Sequence, residues 1–248
     1  MEGIERCGKE KQNINFDPIK NKFAAQKRDF FMQTRDSYRF YKKIHFLNRW
    51  TRRIFLWPIK REIFDILEKI RPAQVLDIGC GDGEMMKNIK KIGAHLIGVD
   101  SSPAMISLAN KKKEHSRIIQ SDAQKIPFPD DQFDGAIISL VLHEIENNNR
   151  KKIVREAARV IKKGGVLVVV DFQSPKKPKF LSKLLRLLFA QEEKMIGKIY
   201  PDHYKNYLDF LKHDLMELIS GNNLTAIRRK SVWLENIQII VCHKSAAR

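Results

Sequence analysis

The chain has 248 residues, 43% of them hydrophobic, which suits one full-sized domain with a real core plus extensions. Cys7, Cys80 and Cys242 stand far apart without a CxxC pair, and no apolar run approaches the ~20 residues that cross a bilayer. A disulfide framework, a zinc site and a membrane span are therefore not expected, no metal is expected, and a reducing, cytoplasmic protein, soluble or peripheral, fits best. The formal charge of +18 is concentrated at the ends: residues 1–72 carry an excess of 9, residues 73–172 of 2 and residues 173–248 of 7. Basic flanks around a near-neutral middle fit either a solvated surface or an anionic partner.

Residues 1–20 are polar without periodicity and read as a mobile start. From Phe30 to Trp57 aromatic residues interleave with Arg35, Arg39, Lys42, Lys43, Arg49, Arg52 and Arg53. Pro58 is expected to break this stretch, with a helix following on Ile59, Ile63, Ile66, Leu67 and Ile70. Residues 1–72 thus read as a basic, aromatic-rich, helical N-terminal extension. Short apolar runs then alternate with helical patterns. Strands are expected at 74–79, 94–100, 117–122, 133–139 and 164–172, and helices at 84–92, 103–113 and 149–163. Runs of Val, Ile and Leu alternating with helices predict an α/β protein with a parallel sheet covered on both faces. A helix over 204–220 and a closing pair of strands, 222–230 and 235–244, follow.

The run "VLDIGCGDGEMM" at 75–86 ends a strand with Gly79, Gly81 and Gly83. Glycine costs ~0.5–1 kcal/mol in regular structure, so three together mark a sharp bend or a close approach to a ligand. The turn lies at the carboxyl edge of the sheet, where open α/β sheets bind ligands. The GxGxxG spacing of dinucleotide binders is not met, because Glu84 occupies its final place. Asp100 ends the second strand and is placed to accept hydrogen bonds from ribose hydroxyls, so a nucleoside-like ligand is implied.

Four segments, "VLDIGCGDG", "LIGVDSSPAMISLA", "SDAQKIPFPDDQFDGAIISLVLHEI" and "REAARVIKKGGVLVVVDF", follow in order. In them the sequence resembles the class I S-adenosylmethionine-dependent methyltransferases, and within these the branch of the ubiquinone and menaquinone C-methyltransferases. The resemblance implies a Rossmann-like doubly wound sheet over residues 73–248, mostly parallel with an antiparallel closing strand, helices on both faces and a helical lid insert at about 174–204. It implies S-adenosylmethionine as cofactor. Gly79, Gly81 and Gly83 would let the backbone approach its methionine part, with Cys80 in the same loop and Asp77 orienting the ammonium. Asp82 stands where many relatives have threonine and adds an acid near the sulfonium end. Asp100 would hold the ribose hydroxyls, Ser101 help to cap the next helix and Met105 pack on the adenine face. Asp122 and Ala123 would read the adenine edge, and Ser139 would touch the cofactor from the end of the fourth strand.

Methyl transfer from a sulfonium releases a neutral thioether, so the protein must supply alignment and exclude water. An oxygen, nitrogen or ring-carbon acceptor must also lose a proton, and His143 in "SLVLHEIE" is the expected general base, with Glu144 and Glu146 behind it. The alternative is that His143 only packs against the cofactor loop. Residues 177–191 place Phe180, Leu181, Leu184, Leu185, Leu187 and Leu188 on one broad face and Lys179, Lys183 and Arg186 along the other. Such a helix lies in a membrane interface or buries its leucines as a lid over the acceptor pocket. Both favour a small, hydrophobic or lipid-like acceptor, with His203 and Tyr204 lining the lid and an anionic membrane surface as a further partner. The residues speak less for a nucleic acid: aromatics among Lys and Arg can stack bases and pair phosphates, but "SLVL" after the fourth strand lacks an NPPY-type motif. A non-catalytic cofactor-binding protein is the remaining alternative, and no motif is visibly broken.

Overall fold

Strands made almost wholly of Val, Ile and Leu can be buried on both faces only in the middle of a layered structure. The computed structural model describes residues 49–111, 117–198 and 200–245. The expectations for residues 1–48, including the aromatic and basic stretch before Arg49, lie outside them. Seven strands, β1 (Gln74–Ile78), β2 (His95–Asp100), β3 (Ile118–Gln120), β4 (Phe133–Ser139), β5 (Ile161–Phe172), β6 (Leu224–Val232) and β7 (Ile237–Lys244), form one sheet. Their order is β3-β2-β1-β4-β5-β7-β6. Pairing is parallel from β3 to β5, and β7 alone runs antiparallel, between β5 and β6. This is the expected Rossmann-like sheet, mostly parallel with an antiparallel closing strand. Its order reverses between β1 and β4, which opens a crevice outside their carboxyl ends.

Around the sheet lie α1 (Arg49–Ile70), α2 (Met86–Ile89), α3 (Pro103–Lys111), α4 (Asn147–Val160), α5 (Phe180–Gly197), α6 (Pro201–Phe210) and α7 (Leu215–Ile219). Contrary to the expectation, Pro58 does not break the chain: α1 runs through it. A proline inside a helix costs ~3 kcal/mol. Leu56, Ile59, Ile63, Ile66 and Leu67, on both sides of it, are all buried in the common core, and each contributes ~1.5–3 kcal/mol, so burial outweighs the break. Glu62 of α1 pairs with Arg228 and Lys230 of β6, and Trp233 donates its indole N–H to the Phe55 carbonyl at 2.9 Å.

Other boundaries shift for local reasons. The helix expected over 84–92 is reduced to α2 and a 3-10 turn, because Gly83 and Met86 close turns first on Cys80 and Gly83. The chain is already extended from Ile161, where Ile161 pairs with Phe133 across the sheet, although 161–163 continue a helical pattern. The helix expected over 204–220 splits into α6 and α7, and Asp214 caps the second by accepting from the Met216 N–H at 2.9 Å.

If α1 belongs to the same cooperative unit as the sheet, Ile63→Ala should lower global stability by ~2–5 kcal/mol. Denaturant unfolding followed by circular dichroism should show one transition with a lower midpoint. A separate early transition would mean that the helix docks independently.

Candidate active site

The turn after β1 bends through three left-handed glycines, Gly79, Gly81 and Gly83, at φ 71°, 54° and 71°. At Gly79 a side chain is excluded by space as well, since a Cβ there would lie 2.4 Å from Val141 Cγ2. The loop is pinned to the end of β2: the Gly81 N–H donates to Asp100 Oδ2 and the Ser102 N–H to Asp100 Oδ1, both at 2.8 Å. Asp77 lies on β1 beneath the loop with 1% of its surface exposed. Its Oδ2 and the Ser139 Oγ at the end of β4 are buried without a hydrogen-bond partner among the described residues. Burial first, and then the charge of Asp100, push the Asp77 carboxyl up to about 7. Burial likewise raises Asp100. A buried acid, a half-buried one and an unanswered hydroxyl at the crevice call for a cationic or hydroxyl-bearing ligand.

The other expected cofactor residues fall around this crevice in different ways. Ser101 is exposed and does not cap α3; the neighbouring Ser102 does, its Oγ accepting from the Met105 N–H at 3.4 Å. The reason is register, since α3 begins at Pro103 and Ser102 is the residue preceding it. Met105 is half-buried in the first turn of α3. Cys80 turns away into the core, where its Sγ fills the space that Gly98 leaves open. Burial pushes its thiol far up, so it acts as packing. Asp82 is buried and its Oδ1 accepts from the Glu84 N–H at 3.2 Å. Asp122 is exposed after β3, accepting from the Gln124 N–H at 2.8 Å, with Ala123 half-buried beside it.

A second group of polar side chains is buried next to the crevice. His143 sits in the turn Leu142–Glu144 with 3% exposure. Its Nδ1 lies 2.7 Å from Asp171 Oδ1 at the end of β5. The Asp171 carboxylate also accepts from the backbone N–H groups of Leu142, His143 and Phe172, at 2.8, 3.3 and 2.8 Å, which fixes ring and turn together. Burial works against a charged ring here, but Asp171, Glu193 and Glu144 outweigh it and hold His143 up at about 9. Phe172, Tyr207 and Phe210 wall the imidazole at centroid distances of 4.8, 6.1 and 6.5 Å. Its Nε2 faces Glu193 Oε2 at 3.8 Å and Glu144 Oε1 at 4.0 Å, and Glu193 in turn bonds His203 Nε2. Arg150 of α4 clasps the two histidine-bearing segments: its Nε donates to the carbonyls of Leu142 and Ile145, Nη1 to Asp209 and Nη2 to the Asn206 carbonyl.

Of the two residues expected to line the lid, the structure therefore brings His203 to His143 and leaves Tyr204 apart. Tyr204 stacks on Tyr207 and opens onto a separate groove of about 720 Å³ with Lys194, Lys198 and Asp209. Asp171, Glu193 and Arg150 were not anticipated. Asp171 carries a signal, a lone acid ending the apolar run "GVLVVVDF"; Glu193 and Arg150 lie in polar stretches and carry none. The leucines of 177–191 are not folded under a lid: Phe180, Leu181, Leu184, Leu187 and Leu188 of α5 are exposed. Its inner face is set instead by polar contacts, Ser182 donating to the Leu234 carbonyl and Glu193 bonding His203, with Phe189 against Phe172.

Residues 76–169 match the model of a methyltransferase domain. The demethylmenaquinone methyltransferase of Thermus thermophilus is 30% identical over 169 residues, 66% of this chain and 67% of that protein. The sterol 4-C-methyltransferase strm-1 of Caenorhabditis elegans is 36% identical over 115 residues, 44% of this chain and 34% of that protein. The crystal structure of YcgJ from Bacillus subtilis is similar at a TM-score of 0.50 and 26% identity, covering 69% of this chain and 73% of that one. The chain belongs to the S-adenosylmethionine-dependent methyltransferases. Its cofactor is S-adenosylmethionine, and the crevice fits that cofactor: Asp77 Oδ2 and Ser139 Oγ are the unanswered polar atoms.

With Asp77 pushed up to about 7, its charge is lost as pH falls through that value, and a cationic group of the cofactor placed against it would lose its partner. Calorimetry with S-adenosylhomocysteine should therefore give weaker binding at pH 6 than at pH 8. Asp77→Asn should weaken binding at pH 8 by ~1.5–3 kcal/mol, the range for a charged hydrogen bond, and flatten the pH dependence.

Proposed function

We propose that this methyltransferase transfers its methyl group to a small, hydrophobic, lipid-like acceptor that is held against His143. The observation that carries the reading is the wall of Phe172, Tyr207 and Phe210 around the His143 ring, with its polar edge, Nε2, turned toward Glu193 and Glu144. Aromatic surroundings with a few polar groups at one point suit a ligand that is apolar except for one hydroxyl or similar group. The relatives named for demethylmenaquinone and sterol methylation agree with an acceptor of this kind.

Bound S-adenosylmethionine supplies a methyl group activated on a sulfonium. Asp77, Asp100 and Ser139 hold it at the carboxyl ends of β1, β2 and β4. The aromatic wall excludes water and aligns the acceptor, an effect worth up to ~7–11 kcal/mol of barrier. The acceptor's proton would leave at His143 in its neutral form, whose orientation Asp171 fixes.

The exposed stripe Phe180, Leu181, Leu184, Leu187 and Leu188 supports a second element of the reading, attachment to an anionic bilayer from which a lipid-like acceptor is drawn. Exposed Lys177, Lys179 and Lys183 flank that stripe and supply the matching charge. Cys80 and Cys242 are free and buried, in keeping with a cytoplasmic setting.

His143→Ala should lower turnover ~10²–10⁴-fold while cofactor affinity stays constant. Cofactor consumption with quinols, phenols and sterols, and with RNA as control, is the measurement; turnover of RNA alone would sink the proposal. Replacing Leu184 and Leu188 by Ser should reduce co-sedimentation with anionic vesicles without changing the melting temperature. Undiminished vesicle binding would assign the interaction to charge alone.

A further inference from the structure

Three side chains from three separate elements converge beside the aromatic wall: His143 from the turn after β4, Glu193 from α5 and His203 from α6. All three are buried, and their Nε2, Oε2 and Nε2 atoms lie within 4.8 Å of one another. We propose that these atoms bind one divalent metal ion of the zinc class. The site's role rests on the acceptor reading above; its existence does not.

The distances come close to those of a filled site. An ion with ligands at ~2.0–2.1 Å sets neighbouring ligand atoms ~3.3 Å apart. His143 Nε2 is 3.8 Å from Glu193 Oε2, and Glu193 already touches His203, so side-chain shifts of about 1 Å complete the triangle. The outer contacts are those that a metal-bound histidine requires. His143 Nδ1 lies 2.7 Å from Asp171 Oδ1, which turns Nε2 toward Glu193, where a bound ion would take the place of a proton. Asp171 is held by three backbone N–H groups, and Arg150 ties the His143 turn to the helix bearing His203. The His143 imidazole therefore does not depend on the ion for its position, and His203 is held by Glu193.

Charge points the same way. Asp171 and Glu193 are buried beside the two imidazoles, while Glu144, whose Oε1 comes within 4.0 Å of His143 Nε2, is exposed. Carboxylates gathered out of water need positive charge among them, and one divalent ion supplies it at the centre. Two imidazole nitrogens and one carboxylate oxygen suit zinc or cobalt rather than magnesium or calcium, which prefer oxygen alone. Three protein ligands leave a fourth position open. An acceptor hydroxyl bound there would form an oxygen–metal bond and release its proton to solvent, so that with the ion in place His143 acts as a ligand and the ion, in place of the imidazole base, prepares the oxygen or the adjoining ring carbon for methylation.

The test uses the full chain, stripped with a chelator, and neither acceptor nor cofactor. Zn2+ is titrated by calorimetry and Co2+ by visible absorption. One ion per chain is expected, with the strong visible bands of four- or five-coordinate Co2+ and no competition from an equal concentration of Mg2+. Glu193→Gln and His203→Ala should each weaken Zn2+ binding at least ~10-fold, since even changes outside the ligand set cost ~10–100-fold. Melting curves establish that the variants fold; should they not, the wild-type stoichiometry and Co2+ spectrum decide. No saturable binding, or only the faint spectrum of six-coordinate Co2+, overturns the proposal. So does unchanged affinity in both variants, which would make the cluster a hydrogen-bonded ion pair of Glu193 with His203. Any of these results leaves the methyltransferase reading intact, because that reading stands or falls on cofactor binding and turnover.

Discussion

Arg150 is fully buried, and a guanidinium in that position persists only because its edges are answered by carbonyls and a carboxylate. Its partners come from two places: the turn that follows β4, and α6, which follows the helical insert. Phe210 lies over its face at 5.1 Å. This clasp holds the turn that carries His143 against α6, which carries His203. A lysine could not replace it, since one ammonium cannot serve several acceptors in the plane of a fork.

The protein separates two kinds of electrostatic environment within a short distance. In the cofactor crevice, Asp77 is raised to about 7 by burial first and by Asp100 second. A cofactor carrying a sulfonium and an ammonium offsets the cost of keeping that charge out of water, so part of its binding free energy comes from the burial of Asp77. Around His143 the histidines and carboxylates are interleaved. A chain with an overall charge of +18 thus presents its cofactor with a local field of the opposite sign.

The sheet and the cofactor crevice were legible in the sequence because both depend on local signals. Runs of Val, Ile and Leu state which segments are buried on both faces, and Gly79, Gly81 and Gly83 state where the chain must turn. Errors arose where tertiary contacts overrode a local rule, as at Pro58, where core burial on both sides carries the helix through. The acceptor side was only half legible. His143 follows a strand end and can be inferred, and His203 was placed in the insert. Glu193 gave no signal, because a glutamate in "QEEK" reads as a solvated face until the fold shows it turned inward. The reverse holds for the leucines of α5, whose apolar stripe was read correctly as a stripe, while its direction is decided by the polar residues opposite.

The sheet has two edges, and each is made unfit for pairing in its own way. At one end β3 is three residues long, too short to template a new strand. At the other, β6 carries Arg228, Arg229 and Lys230 in succession, and Glu62 engages two of them from α1. A second copy laying its own β6 alongside would bring these cations against their equals. Part of the basic excess in the C-terminal third therefore acts as a guard against aggregation, keeping an enzyme with a continuous sheet from adding strands end over end.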